Sequence, residues 1–297
     1  MVKAKDLTDR EYLYGHKACP GCGLGTIGRL ALKILGERTI VALPASCMST
    51  VTTIYPQMNY FVPSLTMAFA GTGAVLTGMS AGLKAQGITD VHVLGLAGDG
   101  GTADIGLQAL SGAVERGDDF IYVCYDNEAY MNTGVQRSSL TPIGAHTTNS
   151  PSGTASYGEK KPKKNLFEIM IAHRIPYAAT ANIAFPEDLV RKVQKAKGLK
   201  GSRFIHIYAS CPTGWRIPSE MSVKIARMAV QTNIFPLYEV EEGFKYTINY
   251  KPKEYLVREY FKLQGRFRHL SDKDLDQIQE MVNEDWELLL RKAGERF

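Results

Sequence analysis

The stretch Val91-His92-Val93-Leu94-Gly95-Leu96-Ala97-Gly98-Asp99-Gly100 decides the fold class. Its first seven residues form a nearly continuous apolar run, which is typical of a strand in a parallel sheet covered on both faces. A second apolar run follows at residues 120–125, and Asn127 stands just beyond it, 28 residues after Asp99. The segment between the runs has room for a helical crossover. The two runs are therefore predicted to be parallel neighbours, with Asp99 and Asn127 at their carboxyl ends.

The same alternation of strand and helix patterns continues on both sides of this unit. Strands are predicted at residues 39–43, 91–97, 120–125, 177–181 and 204–208, and helices at 24–35, 72–86, 103–116, 166–173 and 186–196. Alternation of this kind requires parallel pairing. We therefore predict an α/β fold with a doubly wound, mostly parallel sheet in a domain spanning residues 15–218, after a polar N-terminal arm at 1–14.

Three parts of the chain lack this alternation. Residues 44–66 contain three prolines and are expected to be irregular. Residues 131–164 form a long stretch rich in Thr, Ser, Gly and Pro, and loops of this length in compact domains are usually functional; part of it, 138–164, is expected to close over the site. Residues 219–297 are predicted to be a C-terminal extension that contacts another subunit or packs on the core, with helices at 219–234 and after Ser271 and no clear periodicity at 235–268.

Composition and charge limit the class of protein. With 297 residues, of which 44% are hydrophobic and 22% charged, the chain has the composition of an ordinary globular protein with a sizeable core. The net charge of +5 is scattered, and no aromatic residues are interleaved with it as in a nucleic-acid-binding module. The densest basic run, Glu159-Lys160-Lys161-Pro162-Lys163-Lys164, is interpreted as a solvated loop, with a docking patch for an acidic partner as the alternative.

The chain shows no sign of export or of a membrane span. Its first fourteen residues are polar and charged, and no stretch approaches 18 uninterrupted apolar residues. We therefore expect a cytoplasmic protein without membrane contact. Thiols stay reduced in that compartment, so paired cysteines there more often bind metal or do redox work than form disulfides.

The strand ends at Asp99 and Asn127 have the chemistry of a diphosphate site. Mg²⁺ prefers oxygen ligands, and a carboxylate from Asp99, the amide oxygen of Asn127 and the backbone carbonyl near Ala129 can supply three of them. Glycines around Asp99, at positions 98, 100 and 101, let the backbone come close to phosphate oxygens, and Thr102 is expected to cap the helix that follows. We interpret this combination as a site for thiamine diphosphate and Mg²⁺.

Four of the five cysteines are candidate metal ligands. Cys19 and Cys22 form a C-x-x-C turn ahead of a helix, whereas Cys47 and Cys211 each follow a predicted strand. All of these segments are expected at or beside the carboxyl edge of the sheet, where their thiolates can converge. Four thiolates suit either a [4Fe–4S] cluster or tetrahedral zinc, and spacing alone favours neither. Cys124 lies inside an apolar run and is predicted to be a core residue.

The predicted cofactor favours the iron–sulfur alternative. Thiamine diphosphate leaves the reacting carbon of a 2-oxoacid electron-rich once CO₂ is lost. A neighbouring cluster can accept electrons from that carbon one at a time, whereas a structural zinc ion has no role in such chemistry.

At this point the chain resembles a known family, over roughly residues 12–220. Five features carry the resemblance: Cys47 and the motifs Cys-Pro-Gly-Cys-Gly at 19–23, Gly-Asp-Gly-Gly-Thr-Ala-Asp-Ile-Gly at 98–106, Tyr-Asp-Asn-Glu-Ala-Tyr-Met-Asn-Thr-Gly at 125–134 and Thr-Pro-Ile-Gly-Ala at 141–145. Together they are similar to the β subunit of the pyruvate:ferredoxin oxidoreductase (pyruvate synthase) family. The combination is highly specific, and it implies a sheet of the thiamine-diphosphate-binding type.

The resemblance also implies ligands and partners. It implies a [4Fe–4S] cluster held by Cys19, Cys22, Cys47 and Cys211, and Mg²⁺ held by Asp99, Asn127 and the carbonyl of Ala129. It implies that Asn132 lies against the substrate as a catalytic residue. The implied partners are α-, γ- and δ-type subunits, ferredoxin, coenzyme A and a 2-oxoacid, with pyruvate as our choice over 2-oxoglutarate, branched-chain 2-oxoacids, indolepyruvate and oxalate.

One departure from the family pattern, one role supplied by another subunit and two rival functions remain. Some family members have a Glu at the position of Leu24, so a polar contact to the aminopyrimidine from this position is not expected here. The glutamate that activates the aminopyrimidine belongs in this family to a different domain or subunit, and we assign that role to no residue of this chain. The rivals are a non-redox thiamine-dependent decarboxylase or synthase with a zinc site, and a non-enzymatic subunit that uses its cysteines structurally.

Overall fold

The structure, a computed structural model, describes residues 3–53, 55–56, 58–154, 156–252 and 256–295. Expectations that concern the remaining positions lie outside the described residues. Within the described ranges, none of the helices has the length and apolar character that crossing a membrane would require.

Eight strands of the described chain form one sheet, in the order β10-β9-β7-β8-β4-β3-β1-β2. Those strands are β1 (Thr39–Pro44), β2 (Ser64–Met67), β3 (His92–Gly98), β4 (Phe120–Asp126), β7 (Tyr177–Asn182), β8 (Ser202–Tyr208), β9 (Tyr238–Glu241) and β10 (Lys245–Ile248), while β5 (Ser152–Gly153) and β6 (Ser156–Tyr157) form a separate small hairpin. Strands β7, β8, β4, β3, β1 and β2 are parallel, and β9 and β10 add an antiparallel edge. The predicted α/β class with a mostly parallel sheet is confirmed.

Helices connect these strands, as the alternation predicts. They are α1 (Leu24–Leu35), α2 (Cys47–Thr52), α3 (Thr72–Ala85), α4 (Leu107–Glu115), α5 (Leu166–Ala172), α6 (Pro186–Lys197), α7 (Pro212–Trp215), α8 (Ser222–Gln231), α9 (Val257–Lys262) and α10 (Asp272–Lys292). Helix α10 begins at a capping box in which Ser271 and Asp274 bond to each other's backbone N–H groups. A π-helical turn, Gly101–Ile105, precedes α4 where one continuous helix was predicted.

The sheet is covered on both faces. Residues of β4 alternate between the two layers, as the period of a strand requires: Ile121, Val123 and Tyr125 join the apolar cluster that contains α1 and α6, whereas Tyr122 and Cys124 join the cluster that contains α3, α4 and α5. The prediction that Cys124 is a core residue is confirmed. A near-continuous apolar run is thus the expected signature of this doubly covered strand.

Two segments predicted to lack regular structure contain regular elements. Residues 44–66 hold α2 and most of the edge strand β2, so the expectation of irregular chain is wrong there; Ser46 caps the start of α2 in a capping box with Ser49. The segment 235–268 holds β9, β10 and α9. The part of the chain after residue 219 therefore adds two strands to the same sheet, and a third apolar cluster joins it to Tyr208 at the end of β8.

The order of the strands reverses between β1 and β3. From β1 the chain moves outward to the edge strand β2 and then returns to place β3 on the other side of β1. In open α/β sheets, ligands bind at the carboxyl ends of the strands beside such a reversal. The segments that follow β1, β3 and β4 therefore border the expected ligand site.

Candidate cofactor and metal site

A pocket of about 210 Å³ opens where β1, β3 and β4 end. Its lining includes every residue predicted to bind the cofactor or its cation, together with one of the four cysteines and the catalytic candidate: Gly98, Asp99, Gly100, Gly101, Asn127, Ala129, Cys47 and Asn132. Because the three strands are neighbours in the sheet, segments that are distant in sequence bring their polar ends to one place.

Three polar groups meet at the ends of β3 and β4. One terminal atom of the Asn127 amide lies 2.9 Å from the carbonyl oxygen of Ala129 and 3.1 Å from Oδ1 of Asp99. With its nitrogen turned toward these oxygens, the amide donates two hydrogen bonds. With its oxygen turned toward them, three oxygens face one another, which is the donor set that a hard cation such as Mg²⁺ prefers.

The carboxyl group of Asp99 is buried, so a nearby positive charge would stabilise its ionised form. Only 1% of the residue is exposed, and it accepts a 2.5 Å hydrogen bond from the hydroxyl of Ser138. Burial and, after it, the charge of Asp126 raise the pKa of Asp99 well above its usual value. A divalent cation at the three oxygens would favour the ionised carboxylate. The residues present therefore fit a magnesium ion.

The glycines after β3 line the pocket and allow aromatic rings to pack closely on the backbone. A β carbon on Gly100 would lie 2.4 Å from the ring of Tyr130, so the ring packs directly on the backbone at this position. The hydroxyl of Tyr130 donates a 2.9 Å hydrogen bond to Asp104. Thr102, expected to cap the helix, lies inside its first turn instead and donates back to the carbonyl of Gly98 at 2.7 Å. The lack of side chains at Gly98, Gly100 and Gly101 thus makes room for aromatic rings that pack on this part of the pocket lining.

The thiols of four cysteines are neighbours beside this pocket. Burial raises the pKa of Cys22 to about 11, and the charges of Cys211 and Cys19 add to the effect. Burial likewise raises the pKa of Cys47 to about 12, again with contributions from Cys211 and Cys22. In the part of the chain that the structure describes, no three His, Cys, Asp or Glu side chains are grouped closely enough to hold one metal ion. The four thiols influence one another's pKa values, which places them in one neighbourhood beside the pocket.

Tight backbone packing brings the C-x-x-C turn to the segment beyond Cys211. Gly21 has φ +76°, and a β carbon there would lie 2.5 Å from the carbonyl oxygen of Ser219. Gly214 makes a similar approach, since a β carbon on it would lie 2.1 Å from the sulfur of Met131. These glycines allow the two cysteine-bearing segments and the loop after β4 to meet.

Asn132 lies at the exposed mouth of the pocket. Its backbone N–H bonds to Cys47, and this bond lowers the thiol pKa that burial raises. The structure therefore places the catalytic candidate in the same pocket lining as the predicted cation ligands and in contact with one of the cysteines.

Sequence analysis missed a buried network of charges behind the cation ligands. Lys163 Nζ lies 2.7 Å from Oδ2 of Asp126 and 2.9 Å from Oε1 of Glu128. Arg266 pairs with the other oxygen of Glu128, and His206 Nε2 lies 3.0 Å from Asp126. Although burial opposes ionisation, Lys163 and His206 lower the pKa of Asp126 to about 2. Both acidic residues flank Asn127 in the chain, so the network surrounds a predicted ligand.

The interpretation of the basic run as a solvated loop is wrong for half of its lysines. Lys160 and Lys161 are exposed, but Lys163 reaches the buried carboxylates and Lys164 lies 3.6 Å from Asp104. The two exposed lysines precede Pro162 and the two that reach carboxylates follow it. Charge alone does not reveal which lysines of the run face inward.

A family model described as the C-terminal TPP binding domain of thiamine pyrophosphate enzymes matches residues 45–207. Among curated proteins, the chain is 50% identical to ketoisovalerate oxidoreductase subunit VorB of Pyrococcus horikoshii, over 97% of this chain and 95% of that protein. It is 49% identical to pyruvate synthase subunit PorB of Methanocaldococcus jannaschii, over 93% of this chain and 95% of that protein.

A solved structure shares the fold. The 2-oxoglutarate:ferredoxin oxidoreductase from Magnetococcus marinus, with 2-oxoglutarate, coenzyme A and succinyl-CoA bound, matches with a TM-score of 0.57 and 20% identity. The match covers 76% of this chain and 80% of that chain.

Proposed function

The chain belongs to the 2-oxoacid:ferredoxin oxidoreductase family, as a subunit of the PorB and VorB type, and on that premise we propose that it carries the cofactors for oxidative decarboxylation of pyruvate. In the proposed reaction, pyruvate and coenzyme A give acetyl-CoA, CO₂ and a proton, and two electrons pass to ferredoxin; the reverse reaction makes pyruvate. One observation carries this proposal: a single pocket is lined both by the three-oxygen set and by Cys47.

Thiamine diphosphate and Mg²⁺ would occupy the pocket. Asp99, Asn127 and the carbonyl of Ala129 would hold the cation, and Gly98–Gly101 would face the diphosphate. When bound, thiamine diphosphate supplies a nucleophilic carbon for the 2-oxo group and accepts the charge left by departing CO₂. The catalytic role we assign to Asn132, which lines the pocket, is to donate a hydrogen bond to the 2-oxo group or the carboxylate of the substrate.

A [4Fe–4S] cluster on Cys19, Cys22, Cys47 and Cys211 would receive the electrons. Support comes from the mutual proximity of these thiols and from Cys47, which belongs both to the thiol group and to the pocket lining. A zinc site, the rival prediction, would have no role in passing electrons from the substrate to ferredoxin. When bound, the cluster takes electrons singly, which suits transfer to ferredoxin.

A second substrate is favoured by a specific observation. The chain is 50% identical to VorB of Pyrococcus horikoshii but 43% identical to pyruvate synthase subunit PorB of the same organism. Against this, PorB of Methanocaldococcus jannaschii is 49% identical. A branched-chain 2-oxoacid is therefore the second candidate, after pyruvate.

The proposed activity requires other chains. The names of the relatives describe subunits, and we infer α-, γ- and δ-type partners that complete the substrate pocket, together with the carriers coenzyme A and ferredoxin. We place the complex in the cytoplasm, where four unpaired thiols stay reduced until a cluster binds them.

The test is anaerobic co-expression of the chain with its partner subunits. We expect a brown complex that contains thiamine diphosphate and magnesium, gives an EPR signal on reduction, and reduces ferredoxin when supplied with coenzyme A and pyruvate. Comparing kcat/KM for pyruvate with that for 2-oxoisovalerate decides between the two substrates. A colourless complex that contains zinc, or one without thiamine diphosphate, would contradict the proposal.

A further inference from the structure

The metal-ligand loop, residues 126–129, is held by two side chains from the last third of the chain. The first is Trp215, whose indole Nε1 donates a 2.9 Å hydrogen bond to the backbone carbonyl of Asn127. Trp215 is fully buried, so water does not compete for this bond. Because Asn127 offers its side chain to the cation, the bond fixes the backbone from which that proposed ligand projects.

The second is Arg266, which holds the next residue of the loop. Glu128 is buried and has φ +68°, in the left-handed region that residues other than glycine rarely adopt. Its carboxylate pairs with Arg266, whose guanidinium lies 4.3 Å from the ring centroid of Trp215 and 4.7 Å from that of Phe267. A buried carboxylate is costly without a paired cation, and a positive φ is costly for a residue other than glycine. The conformation of Glu128 is therefore held by the contacts around it.

Trp215 and Arg266 thus act on both sides of the peptide group that joins Asn127 to Glu128. With that peptide fixed, the amide of Asn127 meets Asp99 and the carbonyl of Ala129 at the distances of the three-oxygen set. We propose that Trp215 and Arg266 are positioning residues of the cation site. The inference rests on the proposed function and assigns neither residue a contact with the cation or the substrate.

Helix α7 connects this arrangement to the cysteines. The backbone N–H of Trp215 donates to the carbonyl of Cys211 at 2.9 Å, and the N–H of Gly214 lies 3.3 Å from the Cys211 sulfur. One helical turn therefore carries a proposed cluster ligand at its start and supports the metal-ligand loop at its end. Replacing Trp215 is expected to disturb the cation site while every proposed ligand remains.

The experiment uses the complete complex, stripped of thiamine diphosphate and Mg²⁺. Calorimetric titration with Mg²⁺ at saturating thiamine diphosphate gives the Kd for Mg²⁺, and a thermal scan gives the Tm. The variants are Trp215→Phe, which keeps an aromatic ring without the N–H, Arg266→Lys, which keeps the charge, and Arg266→Met, which removes it. Matched controls are Trp286→Phe, the other tryptophan, and Arg203→Lys, a second buried arginine that is paired with Asp119.

We expect Trp215→Phe and Arg266→Met to raise the Kd for Mg²⁺ by about 10-fold or more, the scale measured for groups that orient metal ligands, with partial rescue in Arg266→Lys. Both controls should keep the parent Kd even where their Tm falls. If Arg266→Met fails to assemble, the other two variants decide the outcome. A lowered Tm with an unchanged Kd would overturn the inference and leave the proposed function standing, whereas a parent complex that binds no thiamine diphosphate would overturn the proposed function itself.

Discussion

Ser138 Oγ lies 2.5 Å from Oδ2 of Asp99, although 39 residues separate them in the chain. The hydroxyl donates to the carboxylate oxygen that does not face Asn127, and so leaves Oδ1 free for a cation. The long polar stretch after β4 therefore contributes directly to the candidate site. The other end of the stretch supplies Lys163, which pairs with Asp126 next to the predicted ligand Asn127.

Replacing Ser138 by Ala should weaken Mg²⁺ binding while keeping the fold. Loss of the hydrogen bond leaves the Asp99 carboxylate free to rotate, and comparable losses of a group behind a metal ligand cost about 10–100-fold in affinity. The Kd for Mg²⁺ of the assembled complex checks this. Ser138→Thr, which keeps a hydroxyl, serves as the control, and an unchanged Kd in Ser138→Ala would contradict the role.

Asp99→Asn should abolish cofactor retention. The substitution preserves shape but removes the negative charge, so we expect Mg²⁺ affinity to fall by more than about 100-fold and thiamine diphosphate to be lost on gel filtration. The same loss is expected when the parent complex is treated with EDTA. Asp90→Asn, at an exposed ion pair with Arg38, should retain the cofactor.

Gly100→Ala should damage the site through sterics alone. The added methyl group would lie 2.4 Å from the Tyr130 ring and force it out of position. We expect lower affinity for thiamine diphosphate, with partial recovery in Gly100→Ala/Tyr130→Leu. In the control Gly78→Ala, the methyl group meets nothing within 4 Å on an exposed helix surface, and stability should rise by up to about 1 kcal/mol.

Cysteine replacements separate cluster ligands from core residues. Cys211→Ala should lower the iron content and remove the EPR signal of the reduced complex. Cys124→Ala changes a fully buried cysteine in β4, so a small loss of Tm with full iron content is expected. Full iron content in Cys211→Ala would remove this residue from the ligand set.

The stability of the chain should depend on pH through Lys192. Burial lowers the pKa of this lysine to about 8, although Asp188 lies 2.6 Å away. Between about pH 8 and 10.5 the unfolded chain binds the proton and the folded chain does not, so this group makes the free energy of unfolding rise with pH across that window. Urea unfolding at several pH values should show that contribution missing in Lys192→Met and intact in Lys160→Met, which changes an exposed lysine.

The parallel part of the fold is predictable because its strands are buried on both faces. Each of the five predicted strands begins and ends within two residues of an observed strand, since a doubly covered strand is a continuous apolar run. The positions of Asp99 and Asn127 at strand ends follow from the same runs. Their proximity then depends only on the adjacency of β3 and β4 in the sheet.

Other features leave little trace in the sequence. The edge strand β2 is half exposed and has no apolar run, and half of α2 is Ser or Thr, whose hydroxyls donate to backbone carbonyls of the preceding turn. The pairing of Glu128 with Arg266 joins residues 138 positions apart, and no local pattern marks either partner. Long-range ion pairs of this kind depend on the assembled fold, so sequence periodicity does not predict them.

The contact between Glu128 and Arg266 also has a consequence for biosynthesis. Once the ribosome has added Cys211, every proposed ligand of both cofactors has been made, yet Arg266 is still 55 residues away. If Arg266 positions the metal-ligand loop as proposed, a nascent chain would complete the cation site only once Arg266 has been added. A chain cut short by a premature stop codon before Arg266 would then bind Mg²⁺ more weakly than the full chain.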